Sequence, residues 1–189
     1  MTDVTDNFNR ADGSLGSNWL NTLDVSGTPL AIASNAVTAQ GANVVAYWNP
    51  AVNTFSADQH AQVTYVTANS GNFGGVLVRH DVTGHSNFYL YYENGPNDNL
   101  YRFDSGSFTQ IHGTSGGSAV AGDVVRLEVA GTTFTMKRNG TTRTTQTDAT
   151  YSSGQPGLGA FQGGEKLDDW SGGPIVAAAA SVFNIHPFV

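Results

Sequence analysis

Residues 122–147, GDVVRLEVAGTTFTMKRNGTTRTTQT, decide the fold class. Val125, Leu127 and Val129 alternate with Val124, Arg126 and Glu128. One side of the segment is therefore apolar and the other mixed, the period of two expected of a half-buried strand. Ala130-Gly131-Thr132 supplies a reversal, and the returning strand puts Phe134 and Met136 on one face and Thr133, Thr135 and Lys137 on the other. Asn139-Gly140 is a strong hairpin signal, because both residues tolerate the positive φ of a two-residue type I′ turn. The third strand, over 141–147, is β-branched and polar. Three antiparallel strands with one apolar face are not stable alone in water, so this meander requires a second sheet to cover it.

That second sheet is readable upstream. FGGVLVRH (73–80), NFYLYYE (87–93), LYRF (100–103) and FTQIH (108–112) form another meander, with turn chemistry at Thr83-Gly84, Asn94-Gly95-Pro96 and Asp104-Ser105-Gly106. On 87–93, Phe88, Leu90 and Tyr92 share one face and Tyr89 and Tyr91 the other, so at most one set is expected in the core. The opening DNFNRADGSLGSNW reads as a loop in which Phe8 and Trp19 pin the N-terminal segment across one end of the core. Short strands follow over 30–33, 37–39, 43–48 and 57–67, and closing strands over 157–161 and 167–170. About a dozen strands at this spacing predict an all-β, two-sheet antiparallel jelly-roll sandwich over residues 1–172. Residues 173–189 then form an apolar C-terminal tail, GPIVAAAASVFNIHPFV. It is expected to lie on its own sandwich or to dock on another chain through Ile175, Val182, Phe183, Ile185 and Phe188.

Composition narrows the function. Of 189 residues, 12% are charged, 39% are hydrophobic and 23 are Gly, as suits a turn-rich β domain. The net charge is −7, and the eight Lys and Arg are scattered apart from Lys137-Arg138, so no basic footprint invites nucleic acid. No apolar stretch is long enough for a membrane-spanning helix, and the first residues lack the basic start and apolar core of a signal peptide. The absence of Cys excludes disulfides and thiolate metal sites.

DNFNRADGSLGSNW, GGVLVRH with NFYLYY, GDVVRLEVAGTTFTMKRNGT, and SGQPGLGAFQGG with LDDW occur in an order that resembles the concanavalin A-like, laminin-G-like jelly-roll superfamily, in the form found in bacterial and phage surface proteins. The resemblance covers residues 6–171 and implies the sandwich fold far more specifically than any one activity. It implies a virion-associated role, in a tail, fibre or capsid-decorating protein assembled in the host cytoplasm, with protein partners bound through the tail. The alternatives are a stand-alone carbohydrate-binding module, with an extracellular location, and a polysaccharide-degrading enzyme. It also implies a structural Ca²⁺, held by a carboxylate near the start of the last strand and by the N-terminal loop, for which Asp6 and Asp168 are the candidates. The alternative is that these carboxylates cap turns.

Catalysis is not expected. Hydrolysis of a glycosidic bond needs two carboxylates facing each other across the substrate, yet Glu93, Glu128 and Glu165 have no acidic residue at the offsets that share a strand face, and Asp168 and Asp169 are adjacent and point to opposite faces. Gln110-Ile111-His112 resembles a motif of alginate lyases, but the Tyr-x-Lys strand of those enzymes is absent. His80, Asp81 and His85 flank a turn and make at best a weak metal site. Glycan binding would use tyrosines as stacking faces with arginines to fix hydroxyl or carboxylate groups, and Arg79, Tyr89, Tyr91, Tyr101 and Arg102 are the candidates.

Overall fold

The computed structural model describes residues 2–22, 28–40, 44–68, 73–84, 86–161 and 164–175. Among them are strands and turns but no helix. The strands are β1 (Val4–Asp6), β2 (Gly13–Ser14), β3 (Trp19–Thr22), β4 (Ala31–Ile32), β5 (Val37–Thr38), β6 (Val44–Trp48), β7 (Gln59–Thr67) and β8 (Phe73–His80). They continue as β9 (Asn87–Asn94), β10 (Asn97–Asp104), β11 (Ser107–Ser115), β12 (Val124–Ala130), β13 (Thr133–Arg138), β14 (Thr141–Thr147), β15 (Gln155–Phe161) and β16 (Lys166–Pro174). One sheet runs β14-β13-β12-β7-β16-β5-β4-β2 with β1 added along β16, and the other runs β11-β10-β9-β8-β15-β6-β3. Every pairing is antiparallel.

The mid-chain meander folds as its pattern dictates. Gly131, Asn139 and Gly140 have positive φ (55°, 49° and 75°), the left-handed geometry that tight reversals need. Leu127 pairs with Met136 and Val129 with Phe134, while on the other side Leu127 pairs with Ala61 and Val125 with Val63. These side chains all lie in the inter-sheet core. On the solvent side of the same strands, Glu128 accepts from Arg126 Nε at 2.7 Å and from Lys137 Nζ at 2.9 Å.

Facing them, the seven-stranded sheet contributes Val44, Ala46, Trp48, Val76, Val78, Tyr89, Tyr91, Leu100, Leu158 and Ala160 to the same core. At one end three indoles interlock: Trp48 and Trp170 stack with centroids 5.3 Å apart and planes 8° off parallel, and Trp19 meets Trp170 edge-on at 4.7 Å. Phe8 packs against Trp19 at 5.8 Å, so the N-terminal segment is pinned as its aromatics predict. That segment is more regular than a loop, because Val4, Thr5 and Asp6 pair with Gly172, Ser171 and Trp170. Gly172 is required here, since a Cβ would sit 2.7 Å from the Trp170 ring.

Strand β16 runs through Pro174, so the sandwich extends two residues beyond the expected boundary at 172. Trp170 is fully buried and its Nε1 donates to the Gly157 carbonyl at 3.1 Å, joining the two sheets. Trp170→Ala is expected to cost about 3–5 kcal/mol, read as a lower urea midpoint with an unchanged m-value. A loss under about 1 kcal/mol would show that the indole cluster does not tie the sheets.

Candidate functional site

The seven-stranded sheet is apolar on both faces. Its outer face, turned away from the other sheet, carries a second buried cluster of Val45, Tyr47, Leu77, Phe88, Leu90, Phe103 and Phe161, with Tyr92 packed against it. The expectation that only one face of β9 would leave solvent is therefore corrected: Tyr89 and Tyr91 enter the inter-sheet core, and Phe88 and Leu90 are buried on the opposite face.

A backbone irregularity completes this outer face. Leu77 points outward and Val78 inward, so strict alternation would send Arg79 out and His80 in. Arg79 instead has φ 56°, and the β15 register slips between Gln155 and Gly157. The guanidinium lies 5.8 Å from the Phe134 ring, while His80 joins the outer face, stacked on Tyr47 at 4.1 Å and on Phe88 at 5.5 Å.

From there a continuous row of rings crosses the sheet. Phe88 stacks on Phe103 (4.7 Å), Phe103 meets Phe108 (4.6 Å), Phe108 stands edge-on to Tyr101 (5.9 Å), Tyr101 stacks on Tyr92 (5.6 Å) and Tyr92 tilts toward Phe161 (6.3 Å). Gly159 lets Phe161 lie close, because a Cβ there would sit 2.9 Å from its ring. The row is open at one edge, where Phe108 is 40% exposed and Tyr92 and Tyr101 are half-buried. Gln110, paired in register with Tyr101, is exposed there and donates to Asn99 Oδ1 at 3.1 Å. Burial, reinforced by the Tyr101 phenol, pushes the Tyr92 hydroxyl well above its ordinary value, so it stays neutral.

The residues expected to bind glycan divide sharply. Tyr101 lies on the open edge of this row. Arg79 is 2% exposed, and its guanidinium donates to the carbonyls of Ala57, Tyr151 and Gly131, tying three turns together. Tyr89 and Tyr91 are fully buried. The Tyr89 hydroxyl donates to Asp148 Oδ1 at 2.6 Å, and that of Tyr91 to Glu93 Oε1 at 2.8 Å and Asp98 Oδ1 at 3.2 Å. Arg102 faces the other side of β10 from Tyr101 and is occupied by Asp104, Asp148 and Thr150. Sequence reading did not single out Phe108, the exposed ring of the row, or the buried His80, Phe88 and Phe161 that continue it. The available signal was the unbroken apolar run in FYLYY and in VLV, since a strand without alternation is covered on both faces.

The acidic residues are placed for architecture. Glu93 and Asp98 are buried, and Arg138 Nε donates to Glu93 Oε1 at 2.8 Å while Arg143 Nε donates to Asp98 Oδ2 at 3.1 Å. Both guanidiniums also hold the loop after β11, Arg138 through the carbonyl of Gly117 at 2.6 Å and Arg143 through that of Gly116. Burial pushes Glu93 up, against the pull of Arg138 and Tyr91. Gln110 and His112 do not converge as a lyase pair: a bulge separates them, and His112 bonds Gln146 and Thr114, both at 3.0 Å.

Asp6 and Asp168, the expected Ca²⁺ ligands, both accept hydrogen bonds from the protein. The Asp6 carboxylate receives Arg10 Nη1 at 2.6 Å, Arg10 Nη2 at 2.9 Å, Trp19 Nε1 at 2.8 Å and the Phe8 amide at 2.9 Å. Burial alone would raise Asp6, but those hydrogen bonds outweigh it and hold the carboxyl below its ordinary range. Asp168 is pushed up by burial and by the carboxylates of Asp169 and Asp6, and its Oδ1 accepts the Asp169 amide. No group of three His, Cys, Asp or Glu gathers to hold a metal among the described residues. Asp81 caps its own turn through the amides of Thr83 and Gly84, and His85 lies outside the described residues. Of the docking residues expected in the tail, Ile175 is half-buried with its amide 3.3 Å from the Asp58 carbonyl, and Val182, Phe183, Ile185 and Phe188 lie outside the described residues.

No protein-family model and no curated protein sequence matches the chain. Among solved structures it is similar to the carbohydrate-binding module CBM66 from Bacillus subtilis, at 18% identity over 85% of this chain and 95% of that one, with a TM-score of 0.63. It is also similar to the exoplasmic/lumenal domain of VIP36 in its Ca²⁺/Man2-bound form, at 8% identity over 95% and 90% of the two chains, with a TM-score of 0.61. A third likeness is to the GH43 protein BlXynB from Bacillus licheniformis, at 12% identity over 89% of this chain but 38% of that one, with a TM-score of 0.57. Identities this low speak for the fold alone, and the fold is the concanavalin A-like jelly roll that the sequence motifs imply. These likenesses do not bear on protein partners or location.

Burial would raise Asp148, but hydrogen bonds from Tyr89, Thr150 and Arg102 outweigh it and hold its carboxyl at about 2 rather than 3.8. A depressed carboxyl contributes stability above its unfolded value that is lost as pH falls through the folded one, here between about pH 4 and 2. Asp148→Asn is expected to lower stability at pH 7 by about 2 kcal/mol and to flatten this acid-induced loss, measured by urea unfolding across that pH range. Chelation with EDTA is expected to leave the melting temperature unchanged; a fall that added Ca²⁺ reverses would return the metal to the site.

Proposed function

We propose that this chain is a non-catalytic glycan-binding jelly roll whose binding surface is the open edge of the aromatic row on the seven-stranded sheet. The observation that carries the reading is the placement of Tyr92, Tyr101 and Phe108 as a connected, partly exposed ledge on the face directed away from the inter-sheet core. A sugar presents a face of C–H bonds to a ring and a rim of hydroxyls to amides, and aromatic ledges flanked by amides recognise both. Here the exposed Gln110, paired in register with Tyr101, provides the amide. The similarity to a carbohydrate-binding module and to the Ca²⁺/Man2-bound exoplasmic/lumenal domain of VIP36 supports the same reading.

No glutamate serves this ledge with the paired acids that hydrolysis needs. Glu93 is buried against Arg138, Glu128 is on the other sheet with Arg126 and Lys137, and Glu165 is buried near Tyr65. Calcium forms no part of the proposal, because Asp6 is committed to Arg10 and Trp19.

A glycan array followed by calorimetry on the hits tests this. Tyr101→Ala and Phe108→Ala are each expected to weaken binding about 10-fold, the loss of one stacked ring, whereas Lys137→Ala on the opposite sheet leaves affinity unchanged. The bound oligosaccharide should be recovered uncleaved by mass spectrometry. An empty array, affinity insensitive to both aromatic substitutions, or cleavage of the ligand would each overturn the reading.

A further inference from the structure

The amide beside the ledge has a fixed direction. The carbonyl of Asn97 can only accept, and it takes Asn99 Nδ2 at 3.1 Å. Asn99, which is buried, therefore turns Oδ1 toward Gln110. Gln110 must answer with a donor, and its Nε2 does so at 3.1 Å. Gly113 leaves room for the pair, because a Cβ there would overlap Gln110 Nε2. Among the described residues nothing donates to Gln110 Oε1, so the free end of this exposed side chain is an acceptor.

The same face offers no cation. The Asp, Glu, Lys and Arg residues on the strands of the seven-stranded sheet are Arg79, Glu93, Asp98, Arg102 and Asp104. Arg79 is bound to the turns, and Glu93 and Asp98 pair with Arg138 and Arg143 of the other sheet. Arg102 and Asp104 pair with each other on the side of β10 that carries Leu100, opposite Tyr101. His80, the titratable ring of the row, is 0% exposed. A carboxylate or sulfate brought against Tyr101 would lose water without meeting a positive charge. It would also face the negative side of an aromatic ring and the Gln110 oxygen, on a chain of net charge −7. A sugar hydroxyl has a proton to give to Gln110 Oε1, and the C–H bonds beside it suit the ring.

We infer that the ledge takes uncharged glycans and rejects uronic-acid and sulfated ones, with Gln110 as the residue that sets this choice and Asn99 as the residue that positions its amide. This specificity rests on the reading of the ledge as a glycan site and adds the chemical class of its ligand.

The test uses the full chain on an array of matched pairs, each a neutral oligosaccharide and its counterpart oxidised at C6 to the uronate, with calorimetry on the hits. The neutral member is expected to bind about 10-fold more tightly, the effect of one hydrogen bond lost. Its affinity should be the same at about 50 mM and about 500 mM NaCl, because no ion pair is there to screen. Gln110→Arg should move the ratio about 10-fold toward the uronate and make uronate binding salt-sensitive, with an unchanged circular dichroism spectrum. Asn99→Ala should narrow the ratio, since Gln110 can then turn Nε2 outward to a carboxylate. Equal affinity for both members of a pair, with binding still weakened by Tyr101→Ala, overturns the specificity and leaves the glycan reading standing. A ratio that Gln110→Arg does not move has the same consequence. An array on which nothing binds, or binding that Tyr101→Ala does not weaken, overturns both.

Discussion

The structure depends on one constraint: strands β8, β9, β15 and β6 carry apolar side chains on both faces, so their sheet has to be covered twice. The nine-stranded sheet covers one face, bringing Leu127, Phe134 and Met136 against Tyr89, Tyr91 and Leu158. The second face collects Tyr47, Leu77, Phe88, Leu90, Phe103 and Phe161, and this gives the molecule an aromatic surface layer as well as a core. A half-buried sheet, like the one containing β12 and β13, needs no such second cover, because Arg126, Glu128 and Lys137 form their own ion pairs on its solvent side.

Polar groups inside the sandwich act as fasteners for the turns. Arg79 reaches three carbonyls from three separate turns, and Arg138 and Arg143 hold the loop after β11 while neutralising Glu93 and Asp98. A buried carboxylate is tolerated only where a guanidinium and hydroxyls satisfy it, and Tyr91 supplies the hydroxyl to both acids. Carboxylates spent in this way have no free face for proton transfer to a substrate.

Much of the fold was legible because hairpin chemistry and alternation are local. Asn139-Gly140 and the Val125, Leu127, Val129 series placed the meander correctly, and Phe8 and Trp19 pinned the N-terminal segment. The site was legible only in part. Tyr101 stands on the open edge of the aromatic row, but Tyr89 and Tyr91 were assigned by residue type to a surface they do not reach, and Arg102, a glycan-binding candidate, is held by Asp104 and Asp148.

The sequence by itself determined that the chain is all-β and that it reverses at its glycine and asparagine turns, since these follow from neighbours a few residues apart. Only the tertiary structure decided which face of each strand is outermost and which polar groups are spent. A single left-handed residue, Arg79, exchanges itself for His80 on the outer face, and partners such as Tyr89 and Asp148, 59 residues apart, meet only when the sheets stack. Side-chain exposure is a property of packed layers, and no local pattern encodes what lies above a sheet.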